Sequence, residues 1–182
     1  MSFSDARPGY NGTAKFLHWA ILVLLVVQFI LAWTMPHIGR NTRPDTLINL
    51  HFSFGVVVLA FAVIRLAWRM THPEPEPLDG IPLWQVQSAR VIHCLLYMLL
   101  FAVPVLGWVN GSWRGFPVSV FGLFELPKVM ATRLPGWDWT GDIHGILANY
   151  LMLMLVGLHV AAALYHYFVR RDGVLQRMLP DA

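Results

Sequence analysis

Six histidines, His18, His51, His93, His144, His159 and His166, lie inside or at the ends of the long apolar stretches of this chain. Imidazole in hydrocarbon is costly and rare, so histidines repeated at that depth are functional by default. A helix bundle that carries polar side chains in this way most often holds a metal or a haem. The single cysteine, Cys94, cannot form an internal disulfide, and no Cys-x-x-Cys-His sequence occurs. A haem here would be non-covalent, of b type, and iron–sulfur ligation within one chain is excluded, which leaves histidine as the ligand for iron.

The elements that must position these imidazoles are membrane spans. With 57% hydrophobic and 13% charged residues in 182, the chain falls well below the roughly 25% charged content of an ordinary soluble domain. Four runs, over residues 15–35, 46–68, 90–109 and 143–169, reach the ~20 residues that a helix needs to cross a hydrocarbon core. They predict an all-α integral membrane four-helix bundle, one transmembrane domain over residues 1–182. The first run is longer than the apolar core of a signal peptide and no small-residue cleavage site follows it, so it reads as a retained helix.

Basic residues in the flanking segments set the orientation. Arg7, Lys15, Arg65, Arg69, Arg90, Arg170, Arg171 and Arg177 fall on the side of both termini, against Arg40, Arg43, Arg114, Lys128 and Arg133 on the other. That excess favours termini in the cytoplasm. No basic run or aromatic-interleaved patch points to nucleic acid. The segment 71–82 carries Pro73, Pro75, Pro77 and Pro82 among acidic residues and reads as a stiff polar spacer. The segment 110–142 holds Trp113, Phe116, Phe121, Phe124, Trp137 and Trp139 and reads as a lid at the outer interface. Pro104, with Gly107 after it, should kink or loosen the third helix near its end.

Depth sorts the histidines into two levels. His51 and His144, each near the start of a helix entering from outside, match in depth and can share one iron. From His144, His159 lies ~22 Å further along the axis with a rotation of only ~60°, so one helix can serve two stacked sites. At the inner level His18 has three candidate partners, His93, His159 and His166. His166 would push the site ~33 Å from His144, towards the headgroups. Depth alone leaves His93 open, whereas Gly157, Ala161, Ala162 and Ala163 leave room for a flat macrocycle beside His159. Gly55 does the same one turn after His51.

Several stretches resemble the bacterial cytochrome b561 family. They are Phe16-Leu17-His18-Trp19, the run from Ile48 through His51 to Gly55, Arg65-Leu66-Ala67-Trp68-Arg69, Pro104-Val105-Leu106-Gly107, the run from His144 to Asn149, and the run from Gly157 through His159 to Leu164 followed by His166. The resemblance covers nearly the whole chain. It implies two b haems in a four-helix membrane protein, with His18 and His159 ligating the inner haem and His51 and His144 the outer one. It also implies electron transfer between the two membrane faces. A relative in that family acts as a superoxide oxidase, taking electrons from superoxide outside and passing them to ubiquinone near the inner face, with the position matching His166 at the quinone site.

Arg65 and Arg69, one helical turn apart, either snorkel to the inner interface or pair with propionates of the inner haem. His37 and His72 read as interfacial hydrogen-bonding residues, and His93 as structural, quinone-linked or proton-handling. Two axial imidazoles per iron leave no open position for oxygen, which favours electron transfer and puts substrate chemistry at the haem edges. Arg40, Arg43, Arg114, Lys128 and Arg133 offer the outer face a positive field for a small anion, and Arg114, Lys128 and Arg133 are the candidates for steering superoxide. A quinone could meet His166, Arg69 and Tyr165 or Tyr167 at the inner face. The alternative reading is an electron carrier serving a dehydrogenase, hydrogenase or soluble cytochrome. A haem or metal transporter is disfavoured, because ATP-binding motifs and inverted repeats are lacking.

Overall fold

The computed structural model describes residues 9–39 and 41–180. Arg7 and Arg40, counted above among the flanking cations, lie outside the described residues. Four helices are long and apolar enough to cross a membrane: α1 (Gly12–Thr34), α2 (Thr46–Thr71), α3 (Leu83–Arg114) and α4 (Trp139–Arg170). The start of α1 is capped by Asn11, whose side chain accepts from the Ala14 N–H at 2.9 Å, and that of α2 by Asp45, which accepts from the Ile48 N–H at 2.9 Å. Each cap satisfies a backbone donor that the helix itself cannot. Gly115 ends α3 in the left-handed conformation, at φ 78°, where a residue without Cβ costs least.

Two boundaries differ from the hydropathy reading. Helix α3 begins at Leu83 and continues through Pro104 to Arg114, and α4 begins at Trp139. The apolar window marks only the part of a helix that sits in hydrocarbon. Gln85, Gln87 and Ser88 lie beyond that part and still belong to the helix, so the helix outlasts the span. Within α4, residues 147–152 and 166–170 widen into π turns. A π turn adds a residue without its usual advance in rotation, so the regular geometry assumed between His144 and His159 does not hold in detail.

Helix α1 packs on α2, α2 on α3, and α3 on α4. Helix α4 packs mainly on α3. Side chains close the remaining gap, as where Trp33 Nε1 donates to Asn149 Oδ1 at 3.0 Å. The apolar core, Ile21, Val58, Ala62, Leu99, Leu100, Met152 and Leu155, occupies the middle of the bundle between the two histidine levels.

Both ends of the bundle are covered. At the end away from the termini, β1 (Ser119–Val120) and β2 (Phe124–Glu125) pair antiparallel. The buried Ser53 hydroxyl holds this hairpin to α2, bonding the Ser119 carbonyl at 3.0 Å and accepting from the Phe121 N–H at 2.9 Å. Trp108 and Trp113 donate to the carbonyls of Pro127 and Leu134, at 3.1 and 2.8 Å, which lays the following loop along α3. At the other end the segment after α4 folds back beneath the bundle. Trp19 Nε1 donates to the Met178 carbonyl at 2.8 Å, and Arg177 reaches the Glu76 carbonyl at 2.8 Å, so the proline spacer, α1 and this segment close together.

Candidate haem-binding sites

The helices bring the histidines together at two levels. His51 on α2 faces His144 on α4 with ring centres 6.1 Å apart. At the terminal end of the bundle, His18 on α1 faces His159 on α4 with ring centres 6.0 Å apart. Two imidazole nitrogens each about 2 Å from a shared metal place their ring centres about 6 Å apart, the separation seen at both levels. Both pairs bridge α4 to helices other than α3, its main packing partner. Among the described residues no cluster of three or more His, Cys, Asp or Glu is arranged to hold a metal ion. A pair of imidazoles suits a metal whose remaining ligands come from a macrocycle.

At the first level the surroundings are built for this role. His144 Nδ1 lies 2.9 Å from the Val103 carbonyl, and because a carbonyl only accepts, Nδ1 carries the proton and Nε2 keeps its lone pair. Such a bond to the second ring nitrogen is the usual orienting contact of a metal-bound histidine. Gly107 makes it possible, since a Cβ there would stand 3.1 Å from His144 Cε1 and 3.2 Å from Nδ1. His51 Nε2 is 3.3 Å from the Gln28 amide nitrogen, so the amide occupies the lone-pair direction that a metal would take. His51 Nδ1 and Gln28 Oε1 are buried without a hydrogen-bond partner. A cavity of about 700 Å³ includes both histidines, Gln28, Gly55, Gly107 and Arg114 in its walls, large enough for a cofactor-sized ligand. These residues fit the haem that the resemblance implies.

The second level holds three imidazoles. His93 on α3 has its ring centre 5.2 Å from that of His159, nearer than His18, so geometry alone leaves either as the partner. At Gly157 a Cβ would meet nothing within 4 Å, in keeping with open space beside His159. Arg65 is bonded within the protein. Its Nε donates to Tyr97 Oη at 3.0 Å and its Nη1 to the Ala14 carbonyl at 3.0 Å, joining α1, α2 and α3 beside the cluster. Arg69 pairs with Glu74 and lies over the Tyr97 ring, 5.6 Å from its centre. Both guanidiniums therefore stand at the second level, each already bonded within the protein.

His166 lies beyond that cluster, where α4 ends in a π turn. The Arg171 N–H donates to the His166 carbonyl at 2.7 Å, and Arg171 is left-handed at φ 54°, which turns the chain back and brings Asp172 beneath the ring. His166 Nδ1 is 2.6 Å from Asp172 Oδ2, and Arg170 Nε donates to the same oxygen at 3.0 Å. Burial opposes ionisation of Asp172, but the bonds from His166, the Val174 N–H and Arg170 outweigh it and hold the carboxyl below its ordinary range.

The steering candidates separate. Arg114 is half-buried in the cavity wall, its Nε donating to Asn110 Oδ1 at 2.9 Å and its Nη1 to the Gly39 carbonyl at 3.0 Å. Lys128 and Arg133 are exposed on the loop above, as is Arg43 before α2. His37 lines the mouth of the same cavity, and His72 stacks on Trp68 at 3.7 Å. Gln28 and Asp172 were not expected from the sequence. A glutamine within the most apolar span was the available signal for the first; none marked the second, whose partner is set by the π turn.

Residues 9–181 match the family described as prokaryotic cytochrome b561. Cytochrome b561 homolog 2 of Escherichia coli (strain K12) is 32% identical over 180 residues, covering 98% of this chain and 95% of that protein. A protein named probable superoxide oxidase CybB in Yersinia pestis is 29% identical over 164 residues, covering 90% and 92%. Cytochrome b562 of Cereibacter sphaeroides is 29% identical over 182 residues, covering 95% and 96%. With a family match along almost its whole length and a four-helix architecture to go with it, the chain belongs to the prokaryotic cytochrome b561 family of membrane b-type cytochromes.

Proposed function

We propose that this protein is a dihaem cytochrome of the bacterial inner membrane that oxidises superoxide at the outer face and reduces ubiquinone near the cytoplasmic face. The observation that carries the reading is the presence of two facing histidine pairs, at 6.1 and 6.0 Å, at two levels of one bundle. His51 and His144 would hold the outer haem, and His18 and His159 the inner one. When bound, the haems supply a one-electron path between the two faces. The chain's residues do the rest. Val103 fixes the His144 tautomer, Gly107 gives its ring space, and the apolar core between the levels keeps water from the path.

Superoxide is a small anion, and the charge that draws it belongs to Arg43, Lys128 and Arg133 on the outer surface, with Arg114 in the wall of the outer cavity. Loss of one electron leaves dioxygen, which has no charge to hold it there. At the other face, His166 is the proton-handling residue for the quinone, with Tyr165 its neighbour in sequence and Arg69 at the same end of the bundle. The excess of basic residues on the side of the termini supports a cytoplasmic assignment of that side. The name of the Yersinia pestis relative supports the superoxide reading.

Stopped-flow mixing of the purified, haem-loaded protein with superoxide, followed by a short-chain ubiquinone, tests this. Fast haem reduction and then reoxidation is the expected result. Reduction no faster than that of a generic bis-histidine haem protein would remove superoxide as the donor. His51→Ala or His144→Ala should lower the haem content from two to about one per chain, and two intact low-spin haems in either variant would overturn the ligand assignment.

A further inference from the structure

A carboxylate and an imidazole at 2.6 Å are not required by the fold of α4, which ends at Arg170, two residues before Asp172. The pair exists because Arg171 takes up a left-handed conformation and directs the next side chain back under the helix. The two oxygens of Asp172 are engaged separately. Oδ2 receives His166 Nδ1 and Arg170 Nε, while Oδ1 accepts from the Val174 N–H at 3.3 Å. An ionised carboxylate only accepts, so His166 carries its proton on Nδ1. Nε2 is then the position at which this ring exchanges protons with anything outside.

His166 also stands in line with the inner histidine pair. Seven residues separate it from His159, which in a regular helix is about 10 Å along the axis and about 20° short of two full turns. The π turn begins only at His166 and does not disturb that alignment. An electron acceptor seated at the terminal end of the inner pair would have this ring beside it.

We propose that Asp172 is the positioning residue of a His166–Asp172 proton-transfer pair at the quinone site, a statement that rests on the assignment of His166 to the quinone. Reduction of a quinone to quinol takes two electrons, which the protein delivers singly, and two protons. The step assigned to His166 is the transfer of one proton from Nε2 to a reduced quinone oxygen; the second proton comes from water at the interface. The imidazole then stands neutral, with Nδ1–H still held by Asp172, and regains its proton on Nε2 from water. Asp172 fixes the ring orientation, keeps the tautomer with Nε2 free, and stabilises the imidazolium before transfer, as carboxylate partners of histidine do elsewhere. Arg170 keeps the carboxylate ionised and tethers it by its Nη2 bond to the Gly80 carbonyl at 2.9 Å.

The test uses the full-length, haem-loaded protein, reduced with dithionite and mixed with a short-chain ubiquinone while the haem band is followed. Asp172→Asn removes the carboxylate charge and, with one oxygen in place of two, cannot accept from His166 and Arg170 and from the Val174 N–H together. It should retain both haems and slow reoxidation by roughly 10- to 100-fold, with Asp172→Glu recovering most of the rate. His166→Ala should slow it at least as much, and the double variant should be no slower than His166→Ala alone. Normal reoxidation in His166→Ala would refute the quinone assignment itself. Slow His166→Ala with normal Asp172→Asn would overturn the positioning role and leave that assignment standing, and additive losses in the double variant would also overturn it. Nitrogen-15 NMR of histidine-labelled, unaltered protein decides the matter independently of any variant that loses haem: His166 should show a protonated Nδ1, and a neutral ring protonated only on Nε2 would end the proposal.

Discussion

At the scale of single residues, the outer site depends on the absence of an atom. His144 reaches the Val103 carbonyl only because Gly107 presents no Cβ to its ring, and a Cβ at 3.1 Å lies inside normal contact distance. The two further carbon atoms of valine would crowd the ring edge that carries Nδ1, and a shift that relieved them would break its bond to the Val103 carbonyl. Gly107→Val should therefore displace His144 and reduce the haem content to about one per chain, the remaining haem having the spectrum of the inner site. Retention of two haems with unchanged spectra would show that the glycine is not what lets His144 ligate. Gln28 presents a different case at the same site. Its amide nitrogen reaches both the His51 ring, at 3.3 Å, and the His51 carbonyl, at 3.0 Å, so Gln28 ties α1 to this candidate ligand.

At the scale of elements, the covers at the two ends of the bundle carry separate predictions. Ser53 is 2% exposed and joins α2 to the hairpin; Ser53→Ala leaves the Phe121 N–H and the Ser119 carbonyl short of a partner, at a cost of about 1–3 kcal/mol. The variant should lose thermal stability and be cut faster by protease between Gly115 and Leu126, while an unchanged cleavage rate would mean that Phe54 and Phe121, in contact at 5.3 Å, suffice. At the other end, Asp172 has a carboxyl held below its ordinary value of 3.8. Its stabilisation of the segment after α4 is complete above that value and is lost as pH falls through the lowered one. Hydrogen exchange in residues 173–179, corrected for intrinsic rates, should be slow at neutral pH and faster in acid; protection that is independent of pH would show that the bonds from Trp19 and Arg177 hold the segment without Asp172. The spans were legible in the sequence because hydropathy reports directly on hydrocarbon burial. The hairpin and the returning terminal segment were not, because each is set by side-chain to backbone bonds between residues far apart in the chain, such as Ser53 to Ser119 and Trp19 to Met178. For the same reason the His51–His144 level followed from depth, whereas the inner level did not: His93 and His159 stand on different helices, and depth says nothing about the direction in which either faces.

At the scale of the whole molecule, charge on one face would select the donor. Arg114 is tied into the scaffold through Asn110 and Gly39, so reversing its charge would disturb the cavity wall as well as the field. Arg43 and Lys128, exposed on separate segments at the same end, are the cleaner probes. A cluster of surface cations raises the encounter rate of a small anion, and salt screens that advantage within a Debye length of about 8 Å near physiological ionic strength. Haem reduction by superoxide should therefore slow as salt is added, and the double reversal Arg43→Glu with Lys128→Glu should slow it roughly 10-fold at low salt while converging with the unaltered protein at high salt. Both haem spectra and the ubiquinone reoxidation rate should stay as they were, because neither residue touches a histidine pair and the quinone is proposed for the opposite end. A superoxide rate indifferent to both salt and reversal would leave the outer cations without a role in steering. A protein electron donor would then be the better account of that face, and its reduction rate, measured across the same variants, would carry the salt dependence instead.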